Sequence, residues 1–279
     1  MNHFETRWKS SDGLDIFAQG WNPDTSPIGA VVCLVHGIGE HTFRYLNVAE
    51  AFTKEGYVLF GADLRGHGRS GGPRGHFPSI EAVLQDIDLL LEQARKLYPG
   101  LPLILYGNSM GGSLVLHYGL KRKPDVKGVI ATSPALHNAL EEQKVKVMVA
   151  KILGTLIPAV TIASGLDVNA ISHDSEEVKS YYNDPLIHNK ISLGFGKIML
   201  NVSQWTLEHS SEFSLPLLLM HGKSDSIAFP SSSIEFAAPL NEICKLVLWE
   251  DAWHELHTEP IKKEVLNTMT GWIKKHLTE

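Results

Sequence analysis

Residues 103–112, Leu-Ile-Leu-Tyr-Gly-Asn-Ser-Met-Gly-Gly, read as a short apolar strand, a tight turn and the approach to a helix beginning at Ser113. The turn carries Gly107-x-Ser109-x-Gly111. Such a pattern can hold a serine hydroxyl clear of a strand-to-helix turn. The bend is so sharp that the positions two before and two after the serine tolerate almost nothing larger than hydrogen. A serine hydroxyl is a poor nucleophile at neutral pH and needs a base, and that base needs an acid to orient it. This kind of turn implies the chain order Ser, then Asp or Glu, then His. The apolar run Leu215–His221 ends in Gly222-Lys-Ser-Asp225, where Asp225 is the lone carboxylate of its loop. The next run, Cys244–Trp249, ends in Glu250-Asp-Ala-Trp-His254-Glu-Leu-His257. Two histidines and several carboxylates compete there. His254, nearer the strand end, is the favoured base and His257 the alternative. A lone Asp or His at a strand end is ordinarily a surface residue, and a Gly-rich turn can carry an inert serine. Three matching residue types on successive predicted loops, in the required order, are what carry the reading.

Acyl transfer by serine also needs donors for the oxyanion. One is the backbone N–H after the nucleophile, at Met110. The other belongs on the loop after an earlier strand, here His36-Gly-Ile38-Gly, where the glycines allow close approach and Ile38 offers its amide.

The elements around these residues are legible from their periodicity. Phe4–Trp8 and Leu14–Trp21 flank turn residues and predict a β-hairpin. Ala30–Val35 and Tyr57–Ala62 are continuous apolar runs, as central strands buried on both faces should be. A helix is expected over 43–55, ended by Gly56, and another over Ile80–Leu97 with Ser79 as its N-cap. Val126–Ala131 is the next strand. Regular alternation of strand and helix implies a mostly parallel sheet with helices on both faces.

From Ala135 to Ser214 the alternation stops. No clear buried strand is expected there, only helical patches at Val145–Ile162 and Leu193–Leu207. Strands return at Leu215–His221 and Cys244–Trp249, with helices near Ser231–Leu240 and Glu259–His276. The reading is an α/β core, residues 1–134 and 215–279, interrupted by a helical cap at 135–214. The apolar stretch Val147–Ala163 is too short to span a bilayer comfortably, and Lys151 and Pro158 interrupt it. It suits a cap helix packed on the core, or an apolar lip touching lipid or admitting an acyl chain.

Composition narrows the function. The chain has 279 residues, 43% hydrophobic and 20% charged, with a formal net charge of −6. No basic cluster suits a nucleic acid. Its two cysteines, Cys33 and Cys244, support neither a disulfide framework nor a zinc site. The N-terminus lacks the apolar core of a signal peptide, so a soluble, cytoplasmic protein is expected, peripheral to membrane at most.

Together, His36-Gly-x-Gly-Glu-His41 with Arg44-Tyr45, Asp63-x-Arg-Gly-His-Gly-x-Ser70, Gly107-x-Ser-Met-Gly-Gly112, Asn183-Asp-Pro-Leu186 and Trp253-His254 resemble the monoacylglycerol lipases of the α/β-hydrolase superfamily. The likeness runs from about residue 5 to the C-terminus, and lysophospholipases and general carboxylesterases share most of these motifs. It implies an α/β-hydrolase fold, a Ser109–Asp225–His254 triad, an oxyanion hole at Ile38 and Met110, and no metal or cofactor. It also implies a polar pocket for a glycerol head group at Glu40, Arg44, Tyr181 and His257. Glu40 and Arg44 could equally be an ion pair bracing their loop. Mammalian members carry His where this chain has Asn108, which keeps a donor and an acceptor beside the nucleophile but cannot be charged. Asp63, Arg65, His67 and Ser70 are read as structural.

The expected reaction is cleavage of a single-chain ester, a monoacylglycerol first, with a lysophospholipid or another carboxylic ester as alternatives. A perhydrolase and a non-catalytic ligand-binding relative are further possibilities; the second would ordinarily have lost a triad member.

Overall fold

The computed structural model describes residues 1–137 and 152–278. Its centre is an eight-stranded sheet in the order β1-β2-β4-β3-β5-β6-β9-β10. The strands are β1 (Asn2–Lys9), β2 (Asp15–Asn22), β3 (Ala30–Val35), β4 (Tyr57–Ala62), β5 (Leu103–Asn108), β6 (Gly128–Thr132), β9 (Leu217–Gly222) and β10 (Cys244–Trp249). The hairpin β1–β2 is antiparallel and joins β4 antiparallel; every pairing from β4 to β10 is parallel.

The continuous apolar runs are buried on both faces, for the reason that made them legible. In β3, Val31, Cys33 and Val35 face one core. There they meet helix α2 (Ile80–Leu97) through Val83, Ile87 and Leu90, and helix α3 (Met110–Arg122) through Leu114. Ala30, Val32 and Leu34 face the other core, with Phe52 of α1 (Leu46–Lys54) and Met269 and Ile273 of the C-terminal helix (Lys262–Thr278). Roughly 1.5–3 kcal/mol per fully buried Leu or Phe makes this sheet a rigid platform for the loops at its ends. Ser79 caps α2 as expected, accepting a hydrogen bond from Ala82 N.

Two sequence expectations shift. The residues before α1 form a 3-10 turn, Thr42–Tyr45, so the regular helix begins only at Leu46. Helix α3 begins at Met110, three residues before Ser113, because Gly111 and Gly112 lie inside it. Glycine disfavours a helix interior, but a Cβ at Gly111 would lie 2.0 Å from Val35 O, so close packing on β3 overrides propensity.

Between β6 and β9 lie the two-stranded antiparallel ladder β7 (Thr161–Ala163) with β8 (Lys190–Ser192), and the helices α4 (Ser175–Asn183) and α5 (Leu193–Glu208). The expected helical patch Val145–Ile162 falls partly outside the described residues, at 145–151. Of the remainder, 152–156 are helical, and the chain then turns at Pro158 and enters β7. Proline has no N–H to continue a helix and its ring clashes with the preceding turn. The later part of this segment is tied to the core loops: Glu255 N donates to Ile171 O (2.8 Å), His188 N to Gly39 O (2.9 Å) and Ser192 N to Gly75 O (2.7 Å). After α5 come α6 (Pro230–Ala237) and, after β10, α7 (Lys262–Thr278).

Strand β3 lies between β4 and β5, so the chain leaves it toward one side and later returns on the other. The loops after β3 and β5 therefore diverge and leave a crevice at the carboxyl ends of the strands. The His36–His41 loop and Ser109 sit at that crevice.

Candidate active site

Ser109 has φ 55° and ψ −119°, a left-handed conformation that a residue with a side chain adopts only under constraint. Its neighbours supply the constraint. Ser109 N donates to Thr132 O (2.9 Å), and Ser109 O accepts from Ser113 N (3.0 Å) and Ala135 N (3.2 Å). A Cβ at Gly107 would sit 2.2 Å from Gly111 O, so the turn closes only with glycine there.

The hydroxyl this turn presents meets His254, at 2.8 Å from Oγ to Nε2. His254 Nδ1 is 2.7 Å from Asp225 Oδ2. Since Asp225 only accepts, Nδ1 carries the proton and Nε2 is left as the acceptor for the serine proton. All three residues are buried. Burial alone would push the Asp225 carboxyl up, but the charge and hydrogen bonds of His254 and His221 outweigh it and hold it well below the usual carboxylate range. Burial pulls His254 down, and Asp225 more than reverses this, leaving the imidazole above its ordinary value. The arrangement can deprotonate a serine, hold the resulting imidazolium and return the proton to a leaving group.

Asp225 is itself fixed on every side. Its Oδ1 accepts from Ile227 N (2.8 Å) and Ala228 N (3.0 Å). Its Oδ2 accepts a second imidazole, His221 Nε2, at 3.1 Å. His221 Nε2 also faces Ala228 O (3.0 Å), and two acceptors around it assign the proton there. Nδ1 then accepts from Ser233 Oγ on α6 (2.7 Å). Sequence reasoning missed His221, which reads as the last residue of a buried strand; its position four residues before Asp225 was the available signal.

Ile38 and Met110 line one cavity with Ser109. Met110 is the first residue of α3, so its N–H has no partner in the helix. Among the described residues the Ile38 amide meets no backbone acceptor either. Both are available to an oxyanion. The cavity measures about 340 Å³, and its walls include Ile191, Phe195 and Met199 from β8 and α5 and Ile227 after β9.

A second pocket of about 10 Å³ adjoins Ser109, lined by Glu40, Asn108, Tyr181, His254 and Glu255 among others. Three of the expected head-group residues, Glu40, Asn108 and Tyr181, thus reach a pocket beside the serine, and two do not. Arg44 lies behind the pocket, paired to Glu40 Oε2 (Nε, 3.1 Å) and Glu255 Oε2 (Nη2, 2.5 Å), with its guanidinium 4.6 Å from the centre of the Tyr181 ring. Glu40 also accepts from Gly37 N (2.5 Å) and Tyr45 Oη (2.7 Å), so it braces the loop that carries Ile38. Burial pushes Glu40 up, but Arg44 foremost brings it below its ordinary value; at Glu255 burial exceeds the pull of Arg44 and the net direction is upward. His257 stacks on Tyr45 with ring centres 4.6 Å apart and lines neither pocket. Among the described residues neither of its ring nitrogens has a partner, and burial lowers its pKa to about 3. Of the two competing histidines, His254 is the one that reaches Ser109. Glu255 was visible in the sequence only as one of several carboxylates beside His254.

The residues read as structural are so placed. Arg65 pairs with Asp86 (2.6 Å) and Asp12 (2.8 Å), and Asp63 accepts from Thr42 N and Arg69 N. His67 Nδ1 donates to Arg65 O and Ser70 Oγ to Asp63 O. Among the described residues no group of three or more His, Cys, Asp or Glu could hold a metal ion.

Comparison with known proteins places this architecture among hydrolases. Residues 26–261 match the family model described as serine aminopeptidase, S33. A Dictyostelium discoideum abhydrolase domain-containing protein is 40% identical over 271 residues, 96% of this chain, which spans only 28% of that protein. A monoacylglycerol lipase of Mycolicibacterium smegmatis is 35% identical over 267 residues, covering 95% of each chain. The crystal structure of a Paleococcus ferrophilus monoacylglycerol lipase superposes with a TM-score of 0.83 at 29% identity, covering 99% of this chain and all of that one.

Proposed function

We propose, since this chain belongs to the serine aminopeptidase S33 family of hydrolases, that it is a serine ester hydrolase cleaving monoacylglycerol to glycerol and free fatty acid. The observation that carries the reading is the Ser109–His254–Asp225 relay, with contacts of 2.8 and 2.7 Å, set between a large apolar cavity and a small pocket whose walls include Glu40, Asn108, Tyr181 and Glu255. An amphiphilic single-chain ester has that division of character. The family description names a peptidase. The acyl part of an aminopeptidase substrate bears an ammonium beside the scissile carbonyl, and walls such as Ile38, Met110, Phe195 and Met199 suit a hydrocarbon chain better.

In this mechanism Ser109 Oγ attacks the ester carbonyl as its proton passes to His254 Nε2. Asp225 holds the Nδ1–H and stabilises the imidazolium. The amides of Ile38 and Met110 receive the oxyanion. The imidazolium protonates the departing glycerol oxygen, leaving an acyl ester on Ser109. Water, deprotonated by the same nitrogen, then releases the fatty acid. We assign the cap to residues 135–214 and the hydrolase core to 1–134 and 215–279. No described helix is long and apolar enough to cross a membrane. Leu156 (71% exposed), Ile157, Val160 and Ile162 form an apolar edge on the cap, which we assign to transient contact with the lipid surface that supplies substrate.

Labelling with a fluorophosphonate tests the reading: folded protein should react and Ser109→Ala should not. The substrate assignment is tested on monoacylglycerol beside lysophosphatidylcholine and short p-nitrophenyl esters. Brisk turnover of either of the latter with none of monoacylglycerol would overturn it.

A further inference from the structure

The small pocket beside Ser109 has room for about one water, hence for one hydroxyl group. Its polar walls differ in what they have left to offer. Both Glu40 oxygens are engaged by Gly37 N, Tyr45 Oη and Arg44 Nε. Asn108 Oδ1 accepts from Thr132 Oγ1 at 2.8 Å, and Asn108 Nδ2 and Tyr181 Oη are donors with no acceptor among the described residues, which leaves Glu255 as the wall that can hold a free acceptor. Glu255 Oε2 holds Arg44 Nη2 at 2.5 Å and Thr258 Oγ1 at 3.4 Å. Glu255 Oε1 has no donor among the described residues, although the residue is 4% exposed and lines the pocket. That oxygen is free to accept a hydrogen bond from a ligand or a water in the pocket. Two carboxylates also share the single Arg44 guanidinium, so this wall repels an anion.

We propose that Glu255 is the specificity-determining residue for the leaving alcohol, its Oε1 accepting the hydrogen of a hydroxyl adjacent to the ester oxygen. This rests on the ester-hydrolase reading above, which sends the acyl chain to the large apolar cavity and the alcohol to the small polar pocket. The class selected is esters of vicinal diols and polyols. A phosphate at the adjacent carbon is excluded by both the size and the charge of the pocket. The sequence resemblance puts this recognition on Glu40, Arg44, Tyr181 and His257; Glu40 and Tyr181 line the pocket, and Arg44 and His257 do not.

The test compares 1-monolauroylglycerol with methyl laurate, which share an acyl chain and differ in the alcohol. Wild type should favour the glycerol ester in kcat/KM. Glu255→Gln keeps an acceptor for Arg44 but turns an amide N–H₂ toward the pocket, and should reduce that preference by about tenfold or more. Equal losses on both substrates would make Glu255 a mere brace for Arg44 and overturn the proposal. A second measurement needs no variant. With ethylene glycol and ethanol at equal concentration, the wild-type acyl-enzyme should form the hydroxyethyl ester in an excess over the ethyl ester well beyond the ratio of two hydroxyls to one, and partition at that statistical ratio or below overturns the proposal. A wild type that reacts with fluorophosphonate yet cleaves both laurates equally well overturns this inference alone. A wild type that neither reacts with fluorophosphonate nor cleaves either laurate overturns the hydrolase reading and the inference with it.

Discussion

Two buried polar clusters flank His254, and they are finished to different degrees. On one side, Asp225 has donors on both oxygens: two backbone amides on Oδ1 and two imidazoles on Oδ2. On the other side, Arg44 joins Glu40 of the oxyanion loop to Glu255 of the histidine loop, and Glu255 Oε1 has no donor among the described residues. A closed network has one arrangement and rigidifies what it holds. An open one keeps a hydrogen-bonding site for something that arrives. The first cluster therefore fixes His254, and the second both braces two loops and faces the pocket beside Ser109.

The largest effect should come from breaking the brace. Arg44→Met leaves two buried carboxylates without their common cation, and removing one partner of a buried ion pair costs about 3–5 kcal/mol. A fall in unfolding free energy of that size is expected in denaturant titrations, with part regained in Arg44→Met/Glu255→Gln, where one stranded charge is gone. A double variant no better than the single would mean that Arg44 acts by packing on Tyr181. The closed side should respond in rate. His221→Leu removes one of two imidazole donors from Asp225 Oδ2 and with it part of what fixes the carboxylate against His254, so kcat/KM should drop about tenfold or more through misplacement of the base. Asp225 would then act more strongly on His254, whose pKa is already raised. The base works only when neutral, so the acid limb of the kcat/KM profile should move to higher pH. His221→Gln, which still offers an N–H, should restore much of both. A rate loss with an unmoved acid limb would reduce His221 to core packing.

What the sequence disclosed follows from the same contrast. Continuous apolar runs such as Ala30–Val35 are buried on both faces and leave one reading. The relay was legible because Ser109, Asp225 and His254 each end or follow a strand, in the chain order that this kind of turn implies. Details set by contacts between distant segments were not. Gly111 resembles a helix breaker until β3 is seen pressed against it. Pro158 turns a plausible helix into the approach to β7. His221 and Glu255 gain their meaning only from partners across the fold, Ser233 on α6 and Arg44 before α1. The resemblance placed Glu40, Arg44, Tyr181 and His257 at the head group; Glu40 and Tyr181 line the pocket beside Ser109, while Arg44 is paired to two carboxylates and His257 is stacked on Tyr45.

His257 gives the smallest effect and the sharpest separation of the two clusters. Its ring lies against Tyr45, with both nitrogens unpartnered among the described residues and a pKa lowered by burial to about 3. The unfolded chain takes up a proton at His257 near pH 6.5. A depressed folded value contributes stability that is present above the unfolded pKa and lost as pH falls toward the folded one. At pH 5 that loss is about 2 kcal/mol. His257→Phe keeps the stack and removes the titration. Its stability relative to wild type should therefore improve between pH 8 and pH 5 by that amount, read as a larger gain in unfolding free energy at the lower pH. Monoacylglycerol turnover should survive the change, because the ring lines neither pocket. An identical stability difference at both pH values, or loss of glycerol-ester turnover with methyl laurate cleavage intact, would return His257 from the core to the substrate.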